Sequence, residues 1–211
     1  RRFMDDFSSD QGWPVHQDDD LVTRVIDGSY AVLVRRPNTT FYAFPPADFV
    51  SQAGEIAVEI PPVSRATQGT FGLICGYRPA AQMGQVVGGK GESSFYRVEI
   101  DPGQRRYTVA HLELRPMAGG REQVPAKRDW RQVRGLSQDQ TIQRLAVRCD
   151  GQNILLAVNG VEQAPWRLQA VESFGEGKMG LFVSTWDDTG PQGYEILFKG
   201  VSFDEVGESW R

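Results

Sequence analysis

Two carboxylates, Glu99 and Asp101, lie two residues apart in the stretch SFYRVEIDPGQRRY, residues 94–107. Alternate residues of a β-strand point to the same side of a sheet, so both side chains would share one face. Paired carboxyl groups about 5–5.5 Å apart perform the nucleophilic and acid–base steps of retaining glycoside hydrolysis. The spacing therefore fits either a sugar-cleaving site or a strand that ends in a turn.

The residues that follow Asp101 favour the turn. Pro102 fixes φ at about −65° and Gly103 tolerates a positive φ, two properties that suit a tight turn. An aspartate that opens such a turn accepts hydrogen bonds from the backbone beside it. The sequence therefore predicts an antiparallel hairpin of strands 94–101 and 106–115, with Asp101 in a structural role.

Alternation along this hairpin predicts one polar face. The side chains of the first strand predicted to face the core are Tyr96, Val98 and Ile100. Those of the second strand are Ala110, Leu112 and Leu114. The opposite side carries the candidate ligand-binding residues Arg97, Glu99, Tyr107, His111 and Glu113. On a concave sheet they would hold an extended ligand, whereas on a flat sheet they would be ordinary cross-strand pairs, each contributing about 0.2–1 kcal/mol.

Two tryptophans are further candidates for ligand binding. Trp130 and Trp186 lie at predicted loop positions, where an indole ring could stack against a sugar or fill a gap at the end of the core. Both possibilities stay open from the sequence.

Composition limits the class of protein. The 211 residues fit one domain, 1–211, and the net charge of −4 is not gathered into a block. This argues against a nucleic-acid or anionic-membrane footprint. No apolar run approaches the roughly 18 residues that cross a bilayer. Because the chain opens on Arg1-Arg2, we expect it to be excised from a longer polypeptide, whose missing parts would supply any membrane tether.

Short segments of period two dominate the chain and are bounded by glycine, proline, aspartate or asparagine. The predicted strands are 30–36, 40–44, 54–60, 69–77, 94–101, 106–115, 143–150, 153–161, 178–186 and 194–206, the last bent or broken at Gly200. Asp150-Gly151 predicts a second hairpin. This pattern is typical of an all-β sandwich or barrel.

Other catalytic motifs are missing from the sequence. It contains no serine nucleophile elbow, no His-Glu-x-x-His helix and no phosphate-binding glycine loop. With only His16 and His111, a zinc site is not expected.

The order of motifs resembles a known superfamily. From about Phe3 to Val206 the chain carries FMDDFSSDQGW, GTFGLICGY, SFYRVEIDPGQRRYTVAHLE, IQRLAVRCDGQNILLAVNGV, GKMGLFVSTWDDTG and YEILFKGVSFDEV. Together these resemble the concanavalin A-like, laminin G-like jelly-roll domains of bacterial secreted and cell-surface proteins, including extracellular regions of membrane-anchored Ser/Thr kinases. The resemblance implies a two-sheet antiparallel sandwich, an extracellular location and recognition of a glycan or cell-wall polymer.

The resemblance also bears on catalysis and on cofactors. Laminarinases and lichenases of this superfamily carry Glu-x-Asp-x-x-Glu on one strand, but here Gln104 stands in place of the third acid and cannot transfer a proton. No organic cofactor is expected. A structural calcium ion is possible, with oxygen ligands among Asp5, Asp6, Asp187, Asp188, Asp204 and Glu205.

We therefore expect a non-catalytic extracellular binding or sensor module. One alternative is a glycoside-processing hydrolase acting on 3-keto sugars or β-glucans, and another is a structural spacer or protein-interaction domain. Fold alone does not choose among them.

Two cysteines complete the prediction. Cys75 alternates in phase with Phe71, Leu73 and Tyr77, and Cys149 with Leu145 and Val147, so both thiols should point into the core. In the resembled folds the two strands face each other from opposite sheets, which implies a disulfide between Cys75 and Cys149 and hence an oxidising compartment. The alternative is two buried free thiols that behave as small apolar side chains.

Overall fold

The computed structural model describes residues 2–46, 50–51, 53–61, 68–77, 93–114, 129–137, 140–168 and 177–205. Its strands are β1 Arg2–Asp5, β2 His16–Gln17, β3 Leu21–Ile26, β4 Ser29–Val34, β5 Thr40–Ala43, β6 Val50–Ser51, β7 Gly54–Glu59, β8 Gly69–Tyr77, β9 Ser93–Asp101, β10 Arg106–Leu114, β11 Arg131–Gln132, β12 Arg144–Cys149, β13 Asn153–Val158, β14 Val161–Glu162, β15 Trp166–Arg167, β16 Gly177–Thr185, β17 Tyr194–Phe198 and β18 Val201–Glu205. Within these described ranges no helix has the length and apolar character to span a membrane.

All ten predicted strands form, and the last is divided at Gly200 into β17 and β18. The sequence did not predict β1, β3 or the two-residue strands. β1 has no apolar alternation of its own, and it exists because Arg2–Asp5 pairs along β18. In this segment, pairing with the neighbouring strand β18 decides the structure, and the intrinsic conformational preference of the residues does not.

The strands form three antiparallel sheets. The front sheet has the order β11-β10-β9-β8-β16-β5, with β6 also on β16. The other two sheets, β1-β18-β7-β12-β13-β14 with β15 on β13, and β17-β4-β3-β2, together form the back layer. β16 contacts β4 and β17, and β8 contacts β12, so the front sheet packs against both sheets of the back layer. The result is a two-layer sandwich, as predicted.

The main core fills the space between the two layers. It draws Leu73 and Val98 from the front sheet and Val58, Val147 and Phe203 from the back layer, all of them buried. Along each strand these core residues alternate with residues that point to the opposite face of the sheet. For this reason the two-residue period of the sequence predicted these strands well.

The predicted disulfide is present. Cys75 of β8 and Cys149 of β12 are bonded, with their Cα atoms 6.5 Å apart, and both are buried in the main core. The bond ties the front sheet to the back layer. Tyr77, which was predicted to be in phase with Cys75, lies outside the main core, where its ring stacks on Phe44. The phase changes because Gly76 takes φ +69° and the register with β16 shifts there.

The hairpin that follows Cys149 is closed by an aspartate. Oδ1 of Asp150 accepts hydrogen bonds from the backbone N–H groups of Gln152, at 3.0 Å, and Asn153, at 2.6 Å. Burial opposes ionisation of Asp150, but the hydrogen bonds from Asn153 and Gln152 outweigh it and lower the pKa of its carboxyl group. The carboxylate therefore fixes the turn between β12 and β13.

Asp150→Ala should lower the free energy of unfolding by about 1 kcal/mol at neutral pH, because two backbone donors lose their acceptor. The folded pKa of Asp150 lies below its unfolded value, so its contribution is present above the unfolded pKa and is lost as the pH falls through the folded pKa. Urea unfolding at neutral and acid pH measures this difference. Asp150→Asn keeps an acceptor oxygen and should lose less; an alanine variant as stable as the wild type at pH 7 would contradict the assignment.

Candidate functional site

The candidate site lies on the outer face of the front sheet, which points away from the main core. Across this face the register aligns Tyr42, Phe182, Gly72, Glu99 and Thr108 in one row over five strands. A side chain at Gly72 would overlap the carbonyl oxygen of Val98, so only glycine fits between Phe182 and Glu99. This row brings aromatic, acidic and hydroxyl side chains together.

An ion pair is enclosed at the centre of the face. Oε2 of Glu99 accepts a hydrogen bond from Nη2 of Arg97 at 3.0 Å, and Oε1 accepts one from the Thr70 hydroxyl at 2.6 Å. Both charged side chains are 0% exposed. The Arg97 guanidinium lies 4.7 Å from the centre of the Phe182 ring. Because burying charge is costly unless the pair is well hydrogen-bonded, these contacts hold the two charged side chains in place.

A second carboxylate on the face belongs to Asp101. Its Oδ2 accepts a hydrogen bond from Nε of Arg106 at 2.9 Å, and its Oδ1 accepts one from the backbone N–H of Gln104 at 3.0 Å. The second bond confirms the predicted turn. Arg106 is about a third exposed, and its guanidinium lies 4.5 Å from the centre of the Trp130 ring. Asp101 thus positions the arginine that covers this tryptophan.

The predicted patch of five residues does not form. Tyr107 pairs with Ile100 and His111 with Tyr96, so both lie on the core side of the front sheet, opposite to Arg97 and Glu99. Tyr107 is buried in the main core, and the His111 ring stacks on Tyr96 with centroids 4.8 Å apart. Glu113 pairs with Ser94 in the register, but its side chain lies outside the described part of the structure.

The error has a physical cause. The outer face carries its own apolar cluster, formed by Ile74, Phe95, Leu112 and Phe182. The Leu112 side chain therefore lies on the outer face, although its apolar character predicted that it would face the core. Where both faces of a sheet are covered, alternation of apolar and polar residues does not distinguish them.

The structure separates the two candidate tryptophans. Trp130 is half-buried at the β11 edge, in contact with Arg106. Trp186 follows β16, where its carbonyl oxygen accepts hydrogen bonds from the backbone N–H groups of Asn38, at 3.2 Å, and Thr189, at 3.4 Å. Trp130 joins the face that carries Glu99 and Asp101 through its contact with Arg106.

Several of the acidic residues named above as candidate calcium ligands already bind other residues of the protein. Buried Asp5 accepts hydrogen bonds from the Trp13 indole N–H and the Phe7 backbone N–H, both at 2.8 Å. Hydrogen bonds from the Ser8 hydroxyl and backbone N–H lower the pKa of Asp6. Asp204 pairs with Arg2 at 3.2 Å. Among the residues that the structure describes, no three His, Cys, Asp or Glu side chains are grouped as a metal site.

Two buried threonines beside Glu99 should respond oppositely to the same substitution. Thr70→Val removes the hydroxyl that donates to the carboxylate and should lower the free energy of unfolding by about 1.5–3 kcal/mol. The Thr108 hydroxyl has no hydrogen-bond partner among the described residues, so Thr108→Val should leave stability unchanged or raise it by about 1 kcal/mol. Chemical unfolding of both variants tests this, and equal losses would contradict the described contacts.

The chain is similar to solved structures over nearly its whole length. A protein of unknown function with a galectin-like fold from Bacillus subtilis aligns with a TM-score of 0.62 and 10% identity, covering 96% of this chain and 94% of that chain. A carbohydrate-binding module from B. subtilis aligns with a TM-score of 0.51 and 12% identity, covering 92% and 93%. A β-1,3-1,4-glucanase (lichenase) derived from a mouse hindgut metagenome aligns with a TM-score of 0.55 and 9% identity, covering 97% and 99%.

Sequence comparison adds no family. No protein-family model and no curated protein sequence matches the chain. Sequence identities of 9% and 10% show only that the folds are similar. A shared fold does not determine what a protein binds or cleaves. The chain is an all-β, antiparallel jelly-roll sandwich, the fold that it shares with these structures.

Proposed function

We propose that this domain binds a glycan without cleaving it. The observation that carries the proposal is that both carboxylates described in the central part of the outer face are held by an arginine: Glu99 by Arg97 and Asp101 by Arg106. Retaining hydrolysis needs one carboxylate as nucleophile and another as acid, both in reach of the substrate. Glu99 is fully enclosed, and Asp101 is engaged in the turn to Gln104.

The binding surface is the β11 end of the outer face. Trp130 is half-buried with the Arg106 guanidinium over its ring, and it presents the exposed part of the indole. Gln132, exposed beside it, offers an amide that can both donate and accept hydrogen bonds. Arg106 is held in place by Asp101 before any ligand arrives, which reduces the entropy lost on binding. An aromatic platform with a few oriented polar groups is a chemistry suited to a sugar ring.

The similar structures support the proposal in part. They include a carbohydrate-binding module, and they also include glucanases, which keep a hydrolase of this fold as the competing proposal. The disulfide between Cys75 and Cys149 supports an extracellular location, because such bonds persist in oxidising compartments.

A glycan array followed by titration calorimetry tests the proposal. Trp130→Ala should weaken binding about tenfold, the change that a loss of about 1.4 kcal/mol produces. Trp186→Ala removes another half-buried tryptophan from a different turn and should change the affinity little.

Two results would overturn the proposal. If the folded wild type binds no glycan, the spacer alternative stands. If it releases reducing sugar from a bound polysaccharide and Glu99→Gln abolishes that release, the domain is a hydrolase.

A further inference from the structure

Four arginines lie at the β11 end of the front sheet. Arg106 belongs to the outer face, whereas Arg131 pairs with Tyr107 and belongs to the core side. Arg106 pairs in the register with Gln132, and the carbonyl oxygen of Arg105 accepts a hydrogen bond from the Val133 backbone N–H at 2.9 Å. These contacts place the β10 turn directly beside the segment that contains Arg131 and Arg134. We name Arg105, Arg106, Arg131 and Arg134 the arginine edge.

The arginine edge carries more positive than negative charge. The carboxylates paired with it are Asp101, on Arg106 at 2.9 Å, and Asp129, on Arg131 at 3.7 Å. Arg105 donates to the neutral carbonyl oxygen of Ser137. The exposed Arg134 guanidinium has no hydrogen-bond or ion-pair partner among the residues that the structure describes. Among the residues that the structure describes, four arginine cations stand against two paired carboxylates at this edge, although the whole chain has a net charge of −4.

Two of these guanidinium groups are stacked on indole rings. Arg106 lies 4.5 Å from the centre of the Trp130 ring, and Arg131 lies 3.9 Å from the centre of the Trp166 ring. Stacking fixes the plane of a guanidinium group. Because Nε of Arg106 already donates to Asp101 and Nη2 of Arg131 lies 3.7 Å from Asp129, a ligand would be bound by the other N–H groups of these two arginines. A fixed N–H edge matches the two oxygens of a carboxylate or sulfate, which it can bind with two parallel hydrogen bonds.

We infer that the glycan bound at Trp130 is anionic, with carboxylate or sulfate groups that pair with the arginine edge. The inference rests on the proposed function and adds to it the charge of the ligand. A neutral glycan would leave the surplus of guanidinium groups at this edge unused. The negative charge of the rest of the chain disfavours a long nucleic acid, which would extend beyond the edge.

The test uses pairs of polysaccharides that differ only in charge, such as polygalacturonate and its methyl ester, within an array of neutral and anionic glycans. The wild type should bind the anionic member of a pair at least tenfold more tightly, and the preference should shrink as salt is raised from about 50 to 300 mM. Arg105→Gln with Arg134→Gln should weaken binding of the anionic member about tenfold and leave the neutral member unchanged. Arg24→Gln with Arg144→Gln removes the same charge from exposed positions elsewhere and is the matched control.

The outcomes separate the two proposals. Equal binding of both members, lost in Trp130→Ala, would overturn the inference and leave glycan binding intact. Binding of single-stranded DNA through the same two arginines, as tight as that of any glycan, would also overturn it. If no glycan of either charge binds, the proposed function itself fails.

Discussion

Arg97→Met is expected to lower the free energy of unfolding by about 3–5 kcal/mol, because it leaves the Glu99 carboxylate enclosed without its cation. Methionine fills much of the volume of the arginine stem, so the loss measures the broken ion pair more than a cavity. Glu99 keeps the Thr70 hydroxyl, which is neutral and does not replace the charge of the guanidinium group. Urea unfolding followed by tryptophan fluorescence measures the change.

Two variants control this prediction. Arg97→Met combined with Glu99→Leu removes both charges and should restore most of the stability, since replacing a whole buried pair by apolar residues is often neutral. Arg148→Met breaks the Glu55–Arg148 pair, which has the same 3.0 Å separation at a site about a third exposed, and should cost at most about 1 kcal/mol. Equal losses at Arg97 and Arg148 would show that the central pair is not enclosed.

Replacing both cysteines, Cys75→Ala with Cys149→Ala, should lower the free energy of unfolding by about 4 kcal/mol. The bond closes a loop with a sequence separation of 74 residues, and the chain-entropy relation gives a loss of that size. Thermal and urea unfolding with and without reductant measure it. Reductant should destabilise the wild type and leave the double variant unchanged. Two alkylated thiols in wild-type protein unfolded without reductant would show that the bond does not form.

The sequence predicted the parts of the fold in which one face of a strand meets the main core. β8 matches its predicted bounds, 69–77, and the thiols of Cys75 and Cys149 point inward as expected. The Asp101 turn was also predictable, because proline and glycine after an aspartate restrict the backbone locally.

The composition of the site could not be predicted in full. Tyr107 and His111 were assigned to the wrong face because Leu112 packs in a second apolar cluster on the outer side. Trp130 and Arg106 are separated in the chain by β10 and residues 115–128, so only the three-dimensional register of β10 with β11 reveals their contact. The arginine edge was missed for the same reason. Its one signal was the dense spacing of arginines in residues 105–134.

The decisive experiment on glycan binding without cleavage is a crystal structure with a bound oligosaccharide chosen from the array. We expect a sugar ring against Trp130, with Arg106 and Gln132 as polar contacts, and the Glu99 carboxylate still bonded to Arg97 and Thr70. A structure in which Glu99 has left Arg97 and contacts the glycosidic oxygen would contradict it.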